Sequence, residues 1–134
     1  MAILQKYAVE SNRTNSRENY ILNSRIMELI EEYSELKDNW DENDALAPSA
    51  SVIDSAKQLI SLLEKKGQVM YHSAPGPNGE IMVDIRNQEK SIEIIFYKNR
   101  AVSVQIPKIG KPTQKNFEIN DLQSLLIWLN KNEK

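Results

Sequence analysis

The residues able to do chemistry are few and spread along the chain. An acidic run, Asp38, Asp41, Glu42 and Asp44, sits between two patterned stretches, and carboxylates converging on one point are what Mg²⁺ or Ca²⁺ requires. The spacing does not fit a calcium loop of the helix–loop–helix kind. Such a loop sets oxygen donors at alternate positions around a central Gly, and this run has none. A solvated loop is the expectation. Within it Trp40 and Asp41 read as structural residues, the indole anchoring the loop on the core and the carboxylate capping a turn or accepting the indole N–H.

His72 is the only imidazole, which rules out a His-rich zinc site and a Ser-His-Asp triad with a spare histidine. Placed on a strand beside Tyr71 and ahead of a Pro-Gly-Pro turn, it reads as a partly exposed strand residue rather than a general base. Asp84 and Glu93, on neighbouring strands, supply two members of the carboxylate set of a metal-dependent nuclease, but Ile95 stands where the water-orienting Lys is needed. The four glycines, Gly67, Gly76, Gly79 and Gly110, do not make a phosphate loop, and no Gly-x-Ser-x-Gly elbow occurs. With no Cys there is no disulfide, thiolate nucleophile or Cys-type metal site. No catalytic residue, cofactor or metal site is therefore expected. A metal-dependent hydrolase using Asp84, Glu93 or the acidic run is the least favoured function.

Charge is more informative in its distribution than in its total. The 17 Lys and Arg against 19 Asp and Glu, with a pI near 5.5, argue against a surface devoted to a nucleic-acid backbone. Between Arg17 and Asp54, however, ten acids face three bases, and between Arg86 and Lys115 seven bases face two acids. Such a dipolar chain can steer a charged partner or pair its own halves. Nucleic-acid binding by the basic region 86–115 is the alternative function, although a single-strand binder wants aromatics among its bases and only Tyr97 qualifies there.

The elements that position these residues follow from two periodicities. Leu22, Ile26, Leu29, Tyr33, Leu36 and Trp40 are spaced by four and three, one stripe of a long amphipathic helix opened by Asn15 and Glu18. Lys37 to Ser51 breaks that pattern and reads as a connector. A second helix is expected from Pro48–Ser51, capped by Ser51 with Asp54, carrying Val52, Ile53, Ala56, Leu59, Ile60 and Leu63, and closed at Gly67. Beyond Gly67 the period falls to two: Val69 and Tyr71, then Ile81, Val83 and Ile85, then Ile92, Ile94 and Phe96, then Val102, Val104 and Ile106. The breaks between these runs are hairpin-sized, so the sheet is an antiparallel meander with each apolar set on the core face. A short edge strand is expected near Phe117. A last helix, opened by Asn120 and Gln123, carries Leu122, Leu125, Leu126 and Leu129.

The stretch Trp40-Asp41-Glu42-Asn43-Asp44-Ala45-Leu46-Ala47-Pro48-Ser49 resembles a signature of small uncharacterised bacterial proteins, Trp-Asp-Gly-x-Gly-Ala-x-x-Pro-Ser. In that group the signature joins two helices and is followed by a Pro-containing turn and a Gly-Gly-Ile-type strand. Here Pro75, Pro77, Asn78, Gly79, Glu80 and Ile81 take that place. The match covers residues 20–106, with Glu42 and Asp44 where the group has Gly. The resemblance implies an α+β layout and a bacterial origin; it implies no activity. It makes Trp40, Asp41 and Pro48 structural signature residues.

The reading that results is an α+β domain over 1–134, with residues 1–14 as a flexible lead-in, two N-terminal helices, a four- to five-stranded antiparallel meander and a C-terminal helix. Met1 to Val9 is too poor in apolar residues for a signal-peptide core, and no run approaches the ~18 apolar residues that span a bilayer, so a cytoplasmic protein is expected. The function expected is non-enzymatic: a protein-interaction module, self-associating or binding another protein through the first helix or the open sheet face. Tyr20, Met27, Ile30, Tyr97 and Arg100 are its candidate contact residues.

Overall fold

A computed structural model describes the backbone of residues 12–131, and the side chains from residue 21 onward. Among the described residues three α-helices, α1 (Asn12–Tyr33), α2 (Ala50–Lys65) and α3 (Leu122–Asn130), accompany five strands. The strands are β1 (His72–Pro75), β2 (Ile81–Asn87), β3 (Lys90–Phe96), β4 (Ala101–Ile106) and β5 (Thr113–Asn116). They form one antiparallel sheet in the order β1-β2-β3-β4-β5, so the chain is an α+β meander with two helices before the sheet and one after it.

The core is where the two periodicities meet. Val52, Ile53, Ala56, Leu59, Ile60 and Leu63 of α2 and Leu122, Leu125, Leu126 and Leu129 of α3 cluster with Ile81, Val83, Ile85, Ile92, Ile94 and Phe96 of β2 and β3. Each such large side chain contributes about 1.5–3 kcal/mol when taken fully from water. Ile26 and Ile30 of α1 join the same cluster, and α1 packs on α2 and β1.

Several boundaries fall elsewhere than the pattern predicts. The helix α1 is already formed at Asn12, so Asn15 and Glu18 lie inside it, as do residues 12–14 of the lead-in expected over 1–14; residues 1–11 lie outside the described part. Its stripe ends at Tyr33 instead of running on to Leu36 and Trp40. The Ser34 hydroxyl bonds back to the Glu31 carbonyl, and the chain then turns, with Asn39 at φ 68°. Ser49, not Ser51, caps α2, its Oγ accepting from Val52 N–H at 3.4 Å. Before α3, Asp121 Oδ2 accepts from Glu118 N–H at 2.9 Å, two residues ahead of the pair expected. The first strand starts at His72 rather than Val69. Gly67 closes α2 as expected, at φ 70°, with Gln68 N–H donating to Leu63 O.

The largest departure is in β4. Its register sets Ser103 opposite Ile94 and Val102 opposite Ile95. Opposite residues share a face and neighbours alternate, so Ser103 and Gln105 are on the helical side. Val102, Val104 and Ile106 are on the other, reversing the expected assignment. The cause is the width of the helical layer: α2 and α3 pack over β2 and β3. Over β4 and β5 lies the polar start of α3, where Asp121 and Ser124 line a cavity of about 320 Å³ with Ser103, Gln105 and Lys115.

Candidate functional site

The sheet's second face carries the most unusual surface among the described residues. Met82, Ile95, Val102, Val104 and Ile106 stand on it and are absent from the core cluster. Val102 is closed off by its surroundings, at 2% exposure, and the other four are half-buried. Antiparallel sheets tolerate one solvated face when that face is polar; here a band of five apolar side chains crosses it from β2 to β4.

Inside that band runs a charged row. His72 on β1 is opposite Asp84 on β2, which is opposite Glu93 on β3. Asp84 is only 3% exposed. Its Oδ2 accepts from Arg86 Nε at 3.2 Å and Nη2 at 3.0 Å, while its buried Oδ1 has no hydrogen-bond donor among the described residues. The Arg86 guanidinium lies 3.9 Å from the Tyr71 ring centre. The Asp84 hydrogen bond holds its pKa above the usual value, and the Tyr71 and Glu93 charges add to the effect. Thus the two carboxylates first considered as metal ligands do meet in register. Among the described residues, however, no three His, Cys, Asp or Glu side chains are grouped so as to hold a metal ion.

The acidic connector is a hydrogen-bonded knot. Asp41 Oδ1 accepts from Asn43 N–H at 2.9 Å and Ala45 N–H at 3.0 Å, and Asp38 Oδ1 accepts from Ala47 N–H at 3.0 Å. Trp40 Nε1 donates to Leu46 O at 2.9 Å, so the indole is held by the backbone while Asp41 caps the turn. The knot docks on the turn between β1 and β2: Leu46 N–H donates to Pro77 O at 2.8 Å, and Leu46 bridges Asn78. Gly79, at φ 80°, permits the approach; a Cβ there would sit 3.2 Å from Ala47 O. Glu42 and Asp44 have φ 64° and 66°, the left-handed region glycine favours. Pro48 immediately precedes the Ser49 cap.

The candidate contact residues are scattered. Ile30 is fully buried and has no surface for a partner, a correction that follows from α1 packing that stripe on α2. Met27 is half-buried against the core, and the Tyr20 side chain lies outside the described part. Tyr97 and Arg100 are in the turn between β3 and β4, the guanidinium 4.5 Å from the ring centre, and they line a cleft of about 320 Å³ with Ser55, Gln58 and Phe117. The period-two pattern places Val102, Val104 and Ile106 on the core face, and nothing in it singles out Met82 or Ile95. The clue available in the sequence was that Ser103 and Gln105 are uncharged and so can face inward as well.

The bases of 86–115 are dispersed too. Arg86 is bound to Asp84. Lys90, 8% exposed, reaches the Trp128 carbonyl of α3, the Lys131 carbonyl just past its end and the Trp128 ring, and Lys108 pairs with Glu89 at 2.9 Å. Among the described residues no helix is long and apolar enough to cross a membrane. No family model, curated protein or solved structure matches the chain.

Proposed function

We propose that this chain is a non-enzymatic, cytoplasmic protein-interaction module whose docking surface is the second face of the sheet. The observation that carries this reading is the placement of Val102, Val104 and Ile106 away from the helices, beside Ile95 and Met82. Half-buried apolar side chains gathered beside polar ones, on the sheet face turned from the described helices, are what a docking surface offers a partner. The partner is a second copy of the chain or another protein. Kinship with the bacterial signature group is part of the same proposal, supported by the left-handed backbone at Glu42 and Asp44, which stand where that group has Gly.

The test is a photo-crosslinking residue placed singly at Ile95, at Val104 and, as a control, at the exposed Ile127 of α3. A discrete adduct from positions 95 and 104, missing from 127, supports the reading, and so does its loss when both face positions become Lys while the circular dichroism is unchanged. Equal labelling from all three positions overturns it. Light scattering separates a second copy from a different protein.

A further inference from the structure

We propose that the cavity beneath the start of α3 binds a small zwitterion of the α-amino-acid kind, with one carboxylate and one ammonium on a short polar body. The site is on the helical side of the sheet, away from the docking face, and stands or falls independently of that reading.

The cavity exists because β4 turns Ser103 and Gln105 toward the helices. Ser103 is its floor. The residue is 3% exposed, and among the described residues its Oγ has no hydrogen-bond partner, whereas buried polar atoms are ordinarily paired. Asp84 Oδ1 is the only side-chain polar atom among those residues that is both unpaired and shut off from solvent. The Ser103 hydroxyl therefore opens into the cavity that it lines, where a ligand can reach it.

The walls supply both charges. Lys115 on β5 is opposite Ser103 and so on the same face, and Asp121 borders the space from the start of α3. Both are exposed, and among the described residues neither is in an ion pair. A cation and a carboxylate that share a cavity without meeting are matched by one molecule carrying the opposite charge at each end. A simple anion is opposed by Asp121, a simple cation by Lys115. Asp121 Oδ2 already accepts from Glu118 N–H at 2.9 Å, which holds the carboxylate in place and leaves Oδ1 for an ammonium. A group fixed in advance costs less to order on binding.

The rest of the lining defines the ligand's body. Gln105 and Ser124 have side chains without protein partners among the described residues and offer donors and acceptors. Leu125 alone is apolar, which disfavours a fatty or aromatic molecule. At about 320 Å³ the cavity is near the lower end of the ~300–1,000 Å³ range of small-molecule pockets, which suits a ligand of amino-acid size.

The experiment follows amide and methyl NMR of the full chain with three probes: L-glutamine, glutaramate, which lacks its ammonium, and 4-aminobutanamide, which lacks its carboxylate. The expected result is saturable shifts at Ser103, Lys115, Ser124 and Leu125 with L-glutamine, and binding at least about tenfold weaker for each analogue, the scale of one lost charge-assisted hydrogen bond. Lys115→Gln should bring L-glutamine down to the level of 4-aminobutanamide. Ser103→Ala should weaken L-glutamine with no fall in the thermal melt, since no protein hydrogen bond is lost with the hydroxyl; if that variant folds poorly, Lys115→Gln at its exposed position still decides the matter. Equal binding of the three probes overturns the charge assignment. Shifts confined to other residues, or a Kd for L-glutamine weaker than about 10 mM, overturn the site. Tighter binding of glucose or inorganic phosphate at the same residues overturns the zwitterion in favour of a polyol or an anion.

Discussion

Asn23 of α1 and Met70, 47 residues later, are joined through a buried hydrogen bond: Asn23 Oδ1 accepts from Met70 N–H at 3.1 Å. The same amide donates through Nδ2 to the Gln68 carbonyl, also at 3.1 Å. One side chain thus satisfies both polar groups of the segment that leads from α2 into β1, and Tyr33 OH makes a third tie ten residues further along α1, donating to Ser73 O at 3.0 Å. These bonds fix where α1 lies against the sheet edge.

Replacing Asn23 with Ala should therefore cost about 2–3 kcal/mol, because a buried N–H and C=O lose their partner at once. Urea denaturation measures it. A loss below about 0.5 kcal/mol would mean water reaches both groups.

Lys90 closes the far end of α3. Its Nζ donates to Lys131 O at 3.0 Å and to Trp128 O at 2.6 Å, where the helix end favours a cation. Lys90→Met keeps the stem and removes the charge, and should cost about 1–3 kcal/mol in a thermal or urea melt. It should also raise amide exchange in the last turn of α3.

The knot makes two predictions of opposite sign. Glu42→Gly relieves a left-handed backbone that costs a residue with a side chain about 1–2 kcal/mol, less the added freedom of the unfolded chain, for a net gain of about 0.5–1 kcal/mol. Asp44→Gly should gain less, since Asp tolerates that region better. Gly79→Ala, at φ 80° and against Ala47 O, should lose about 1–2 kcal/mol. Paired melting curves for the three variants decide it.

Acid should loosen the same loop. Asp41 is held below its ordinary value of 3.8 chiefly by the hydrogen bond from Asn43 N–H; desolvation opposes it, and the hydrogen bond from Ala45 N–H adds a smaller lowering. A depressed carboxyl favours the folded, ionised form, so its contribution is full above the ordinary value and is lost as pH falls through the lower folded one. The Trp40 indole N–H resonance, tied to Leu46 in the same loop, should shift in that acid range. Asp41→Asn should remove the shift, since its amide does not titrate.

The sequence by itself determined the element types, their order and most of the core. The 3.6-residue stripe of α2 and the alternation of β2 and β3 each have one wholly apolar side, which decides the face that meets the helices. Gly67 likewise marked its own stop, because few other residues adopt its backbone at no cost. Where a pattern was ambiguous, tertiary structure decided. Ser34 and Asn39 ended α1 through local hydrogen bonding and a left-handed turn, although Leu36 and Trp40 continue the stripe. In β4 neither alternating set is charged, so the ladder with β3 chose the face, turning Val102, Val104 and Ile106 outward where the helical layer gives way to the polar start of α3. The row of His72, Asp84 and Glu93 depended on register as well. The alternation within β2 and β3 puts Asp84 and Glu93 on the same face, but only the register of the ladders sets them opposite each other and opposite His72.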